Sequence, residues 1–105
     1  MLSARCSAWC SGTPPCFLND RPPLMLRAAM TDDKTKQPFE FTVLVNHLKS
    51  FLGYNDPKRM DGVRTKKRLQ AEFLAKFVQQ RQTANPQEKI ILVGDFNAYQ
   101  FNDGI

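Results

Sequence analysis

The tetrapeptide Gly94-Asp95-Phe96-Asn97 closes an apolar run, Ile90 to Val93, with a carboxylate and, two positions on, a primary amide. Beside a phosphate, such a carboxylate can hold Mg²⁺ or orient an attacking water, and the amide can donate hydrogen bonds to a phosphoryl oxygen. The only histidine, His47, ends a second β-patterned run, where it can hydrogen-bond a phosphate or protonate a leaving oxygen. Arg21, just before Pro22-Pro23, can neutralise phosphate charge. Together these are parts of a phosphoryl-transfer site. Each also has a plain structural explanation. A histidine at a strand end can be satisfied by its neighbours, an aspartate after glycine often caps a turn, and Arg-Pro-Pro often just starts a strand.

The elements that must position these groups are legible from periodicity. Pro22-Pro23 leads into an extended run, Leu24 to Met30, and the polar stretch Thr31 to Pro38 reads as an exposed hairpin loop. The next strand is Phe39 to Leu48. Phe39, Phe41, Val43, Val45 and His47 alternate onto one face, and Glu40, Thr42, Leu44, Asn46 and Leu48 onto the other. A polar, glycine-containing loop, Lys49 to Gly62, separates it from a helix over about residues 64–82. Leu69, Phe73, Leu74, Phe77 and Val78 form that helix's apolar stripe, which leaves Lys66, Lys67, Gln70, Lys76 and Gln80 for its wet side. Asn85-Pro86 ends the helix, and Ile90 to Val93 reads as a buried strand.

The order is therefore strand, strand, helix, strand, with the last three elements sized for a βαβ crossover. Such a crossover makes its strands parallel and brings their C-terminal ends to one edge of the sheet. His47 and Asp95 end those strands, so neighbouring strands would hold them roughly 5 to 10 Å apart. Open α/β sheets bind ligands at that edge.

Composition sets the outer bounds. The chain has 105 residues, 42% hydrophobic and 24% charged, which excludes global disorder and suits one small domain or part of a larger one. The net charge of +5 favours polyanionic partners: nucleic acid, anionic lipid heads or phosphorylated small molecules. Six cations, Lys58, Arg59, Arg64, Lys66, Lys67 and Arg68, crowd one segment and are candidate polyanion contacts; a solvated lysine-rich surface is the alternative. No apolar run is long enough to span a bilayer. Residues 1–17 read as an irregular leader, and their interrupted apolar character makes a poor signal peptide, so the compartment stays open. A truncated or misplaced gene start would produce such a leader. Cys6, Cys10 and Cys16 match no standard zinc spacing and read as incidental thiols.

The run Ile90 to Ala98 resembles the Gly-Asp-Phe-Asn signature of the endonuclease/exonuclease/phosphatase superfamily, and Val43 to Ser50 resembles its histidine strand. Arg64 with Gln70 opens a helix at the expected place between them, and Asn19 to Leu24 resembles the segment before the preceding strand. The similarity spans about residues 18–105 and is nearest in flavour to bacterial nuclease-like members, which are often extracellular. It implies an α/β fold: part of a DNase I-like α/β sandwich, a strand hairpin plus one βαβ unit, incomplete at both ends.

By this resemblance Asp95 positions the nucleophilic water or helps hold Mg²⁺ or Mn²⁺. Asn97 binds the scissile phosphate, His47 contacts it or assists the leaving group, and Arg21 contacts phosphate. Asp103 has no family role, and Arg64 is either an ion-pair residue or a phosphate contact. The substrate would be nucleic acid or another phosphodiester. The family's metal-binding glutamate, its early asparagine and its closing Ser-Asp-His segment have no counterparts in this sequence. The expectation is a fragment that keeps the middle of a metal-dependent phosphodiesterase site and is inactive alone. The alternative is a non-catalytic basic remnant that binds anions or nucleic acid.

Overall fold

The computed structural model of the chain describes residues 18–98. The leader with its cysteines, and Asp103, lie outside the described residues. Four elements follow in order: β1 (Leu24–Thr31), β2 (Pro38–His47), α1 (Met60–Ala84) and β3 (Ile90–Asp95). The strands form one mixed sheet in the order β1-β2-β3. The chain is thus mixed α/β, with a three-stranded sheet and one helix. Among the described residues no helix is long and apolar enough to cross a membrane.

β1 and β2 are the expected antiparallel hairpin, with Leu24 opposite Val45 and Thr31 opposite Pro38. Asp32 builds the turn, its carboxylate accepting the backbone N–H groups of Lys34 and Thr35. Lys36 takes a left-handed φ of 56° there. β2 and β3 are parallel, from Thr42 opposite Ile90 to His47 opposite Asp95. The crossover is α1, which begins earlier than the apolar stripe predicts and ends at Asn85-Pro86, where the Asn85 N–H still reaches the Arg81 carbonyl at 2.8 Å.

Burial divides β2 cleanly. Thr42, Leu44, Asn46 and Leu48 are buried under the helix, with Leu44 fully enclosed. Their alternates face the other way, together with Leu24, Leu26, Ala28 and Met30 of β1 and Ile91 and Val93 of β3, which the register places beside them. That second face is apolar and uncovered: Leu24, Leu26, Met30, Phe39, Val45, Ile91 and Val93 are all exposed. Strand alternation is read correctly from the sequence, but the helix covers the more polar of the two faces.

One expectation for α1 is overturned. Lys67 and Gln70, assigned above to the wet side, are 4% and 2% exposed. With Val63 and Leu74 they complete the buried line of the helix. Positions 63, 67, 70 and 74 follow helical spacing, so the line is straight. Its middle is polar because it lies against backbone that requires hydrogen bonds. Of the predicted stripe only Leu74 is fully buried, and Leu69, Phe73, Phe77 and Val78 are half-buried flanks.

The far end of the helix is pinned by a small polar knot. Glu88 accepts from Arg81 and from the Thr42 hydroxyl, at 2.9 and 2.8 Å. These bonds, led by Arg81, hold the Glu88 carboxyl below its ordinary pKa of 4.5.

Candidate functional site

The parallel pairing brings the ends of β2 and β3 together at one edge, with His47 and Asp95 as direct neighbours. His47 Nε2 and Asp95 Oδ2 stand 3.9 Å apart, both well exposed. That is too long for a direct hydrogen bond, and the ring and the carboxylate face each other across a gap in which an oxygen can bridge. Arg21, from the segment before β1, brings Nη1 within 2.5 Å of His47 Nδ1 and 3.0 Å of Nε2.

The Asp95–Asn97 turn is built locally. Gly94 has a φ of 121°, and a Cβ placed there would fall 2.8 Å from the Asn46 nitrogen, inside contact distance. Only glycine lets β3 approach β2 this closely just before the carboxylate. Asn97 is left-handed, with φ 48°, a conformation asparagine tolerates. Its backbone N–H donates to Asp95 Oδ1 at 2.9 Å, which turns Oδ2 toward His47. Its side-chain amide donates to the Leu48 carbonyl at 2.9 Å. One of the two amide hydrogens expected to serve a phosphate is therefore engaged with backbone, and the other remains for a ligand.

An open cleft of about 220 Å³ lies at this edge, against Asp20, Arg21, His47, Leu48, Lys49 and Ser50. Its cations are Arg21 and Lys49, and its one carboxylate, Asp20, is paired with Lys66. The Lys49 ammonium donates to the Ser50 hydroxyl and to the carbonyls of Ser50 and Leu52. Burial, then the neighbouring charge of Lys66, lowers its pKa from the ordinary 10.5, with Asp20 opposing. Neither Lys49 nor Asp20 was singled out in the sequence. The signal that could have found them is adjacency, since each is within two residues of His47 or Arg21. A larger hollow of about 590 Å³ lies at the opposite end of the sheet, lined by Arg27, Glu40 and Lys89 as well as by Arg81 and Glu88, which are bonded to each other.

The basic segment separates into two kinds of residue. Lys58, Arg59, Arg64 and Arg68 are exposed. Arg68 pairs with Glu72 at 2.9 Å and Arg64 stacks 5.0 Å from the Tyr54 ring centre. Lys66 is bound to both oxygens of Asp20 at 2.6 Å, and Lys67 is buried with its ammonium over the Phe51 ring. These two lysines are part of the fold at the site's edge rather than a solvent-facing polyanion surface.

For a divalent cation, the test is the donor set. Among the described residues no group of three or more His, Cys, Asp or Glu side chains converges. Among the described residues, Asp95 Oδ2 is the carboxylate oxygen at this edge suited to such an ion, since the Asp20 carboxylate is taken by Lys66. One carboxylate fits Mg²⁺ as a partial ligand set, because this ion keeps several waters. No family model, curated protein or solved structure matches the chain.

Proposed function

We propose that residues 18–98 form the central part of a metal-dependent phosphodiesterase site of the endonuclease/exonuclease/phosphatase type. The observation that carries this reading is the convergence of Arg21, His47, Asp95 and Asn97 at one sheet edge, with a gap between imidazole and carboxylate sized for a bridging oxygen. Arg21 would neutralise a non-bridging phosphate oxygen. His47 would hydrogen-bond the phosphate or protonate the leaving oxygen, Asn97 would donate its remaining amide hydrogen, and Asp95 would orient water. Mg²⁺ held partly by Asp95 would supply charge neutralisation at phosphorus. The uncovered apolar face supports the finer fold: a second sheet packed against it would complete a DNase I-like α/β sandwich.

With Asp95 as the one carboxylate not paired to a lysine and His47 as the one histidine at the edge among the described residues, the chain alone should turn over neither plasmid DNA nor bis(p-nitrophenyl) phosphate with Mg²⁺ or Mn²⁺, because losing members of a catalytic unit costs orders of magnitude. It should still bind a small phosphodiester. Dimethyl phosphate, titrated into labelled protein, should shift the resonances of His47 and Asn97, and Arg21→Ala should abolish the shift. Turnover abolished by both EDTA and Asp95→Ala would show that the site is complete without further residues. The exposed Lys58, Arg59, Arg64 and Arg68 favour a second reading, non-catalytic binding of a polyanion. An oligonucleotide that perturbs only those four residues, with dimethyl phosphate inert, would select it.

A further inference from the structure

We propose that the first half of α1 is a jig for this edge, with Lys67 and Gln70 as positioning residues; the role assigned to them rests on the phosphoester reading above. Three helix side chains, Lys66, Lys67 and Gln70, lie within about one turn of each other and each grips a segment that carries a site residue. Gln70 Nε2 donates to the Leu18 carbonyl at 2.9 Å, and Gln70 Oε1 accepts the Lys49 N–H at 2.6 Å. One amide thus ties the chain just before Arg21 to the chain just after His47. Lys66 holds Asp20, the neighbour of Arg21. The Lys67 ammonium donates to the Asn97 carbonyl at 2.5 Å.

The Lys67 bond has the longest reach. Asn97 sits in left-handed backbone, a conformation with a cost for any side-chain-bearing residue, and it persists when surrounding bonds over-determine it. Three bonds do so: backbone N–H to Asp95, side-chain amide to Leu48, carbonyl from Lys67. The first of them fixes which carboxylate oxygen faces His47. A change at Lys67 is therefore transmitted through Asn97 to the Asp95–His47 gap. A helix packed only for burial would place apolar groups at positions 67 and 70. Buried polar side chains are instead retained where they satisfy backbone that must hold one geometry.

Because the chain has a single histidine, protein labelled with ¹³C-histidine gives one imidazole signal, a direct probe of the edge. Lys67→Met keeps an unbranched side chain of similar length beside Phe51 and removes the donor. Gln70→Glu keeps an acceptor for Lys49 and removes the donor to Leu18. Both variants should displace the His47 ring signal and weaken the response to dimethyl phosphate at least fivefold. Lys67→Arg, which restores a donor, should return the signal toward wild type. Circular dichroism establishes that each variant is folded; if Gln70→Glu is not, the Lys67→Met and Lys67→Arg pair carries the test. Wild-type ring signals and wild-type binding in folded Lys67→Met would overturn the proposal. A displaced ring signal in a chain whose wild type ignores dimethyl phosphate would uphold the positioning and remove the phosphate reading instead.

Discussion

On the side that α1 covers, β2 and the residue after it present Thr42, Leu44, Asn46 and Leu48, two of them polar. On the other side β2 presents Phe39, Phe41, Val43, Val45 and His47, and the open surface is extended by the apolar residues of β1 and β3. The more hydrophobic face is the more exposed one. Burial here follows coverage by a neighbouring layer rather than the hydropathy of the strand. Most of the polarity of the covered face is bonded, Thr42 to Glu88 and the Asn46 amide nitrogen to the Leu44 carbonyl at 3.0 Å, while the Asn46 side-chain oxygen is buried without a partner among the described residues. The open face makes no such provision. Such a contiguous apolar surface, ending in His47 and Asp95, is of the kind against which another layer or a partner can pack.

The sharpest way to break this contrast is to truncate one residue on each side. Leu44→Ala should cost about 2 to 5 kcal/mol of unfolding free energy, the range for emptying an enclosed leucine site. Val45→Ala, its immediate neighbour on the open face, should cost under about 1 kcal/mol. Urea denaturation monitored by far-UV circular dichroism measures both, and equal costs would mean that the two faces are equally covered in solution. A second comparison uses solubility. Val45→Lys with Ile91→Lys should lower self-association in light scattering without loss of helix signal, because both side chains emerge on the open surface. Lysine at position 44 should unfold the chain.

Acid distinguishes the faces more gently. The Glu88 carboxyl has a folded pKa below its ordinary value of 4.5, so the stability it contributes is present above that pH and is lost as pH falls through the lowered value. Thermal melts between neutral and acid pH should show this loss, and Glu88→Gln should flatten that part of the profile. The smallest effect concerns the exposed cations. Oligonucleotide binding through Lys58, Arg59, Arg64 and Arg68 should be weak and should fall steeply with added salt. Affinity that ignores salt would exclude them as the contacts.

Much of this architecture is legible in the sequence because alternation and helical spacing report which residues share a side. The hairpin, the helix, and the parallel strands that bring His47 to Asp95 all follow from period and connection rules. Which side of β2 meets the helix is not legible, because both sets of alternates contain residues that accept burial. Lys67 and Gln70 escaped for a related reason. An apolar-stripe search sees hydrocarbon, whereas these residues are buried through bonds to Asn97, Leu18 and Lys49 that come from distant parts of the chain. The spacing of Val63, Lys67, Gln70 and Leu74 was the available clue. Asn97 teaches the converse: an amide that reads as a ligand-binding group also spends one hydrogen on the Leu48 carbonyl.

Gly94 carries a consequence for inheritance. At Gly62 a Cβ meets nothing within 4 Å, so a saturation library should return many amino acids there. At position 94 the backbone of Asn46 occupies the space, and the same library should return a nearly blank column. Every missense change of that codon adds a Cβ, and so wedges β3 from β2 one residue before Asp95. The pairing of imidazole with carboxylate therefore rests on a position with no tolerated neighbour in sequence space, and a lineage that loses the glycine has no gradual route by which to keep the edge.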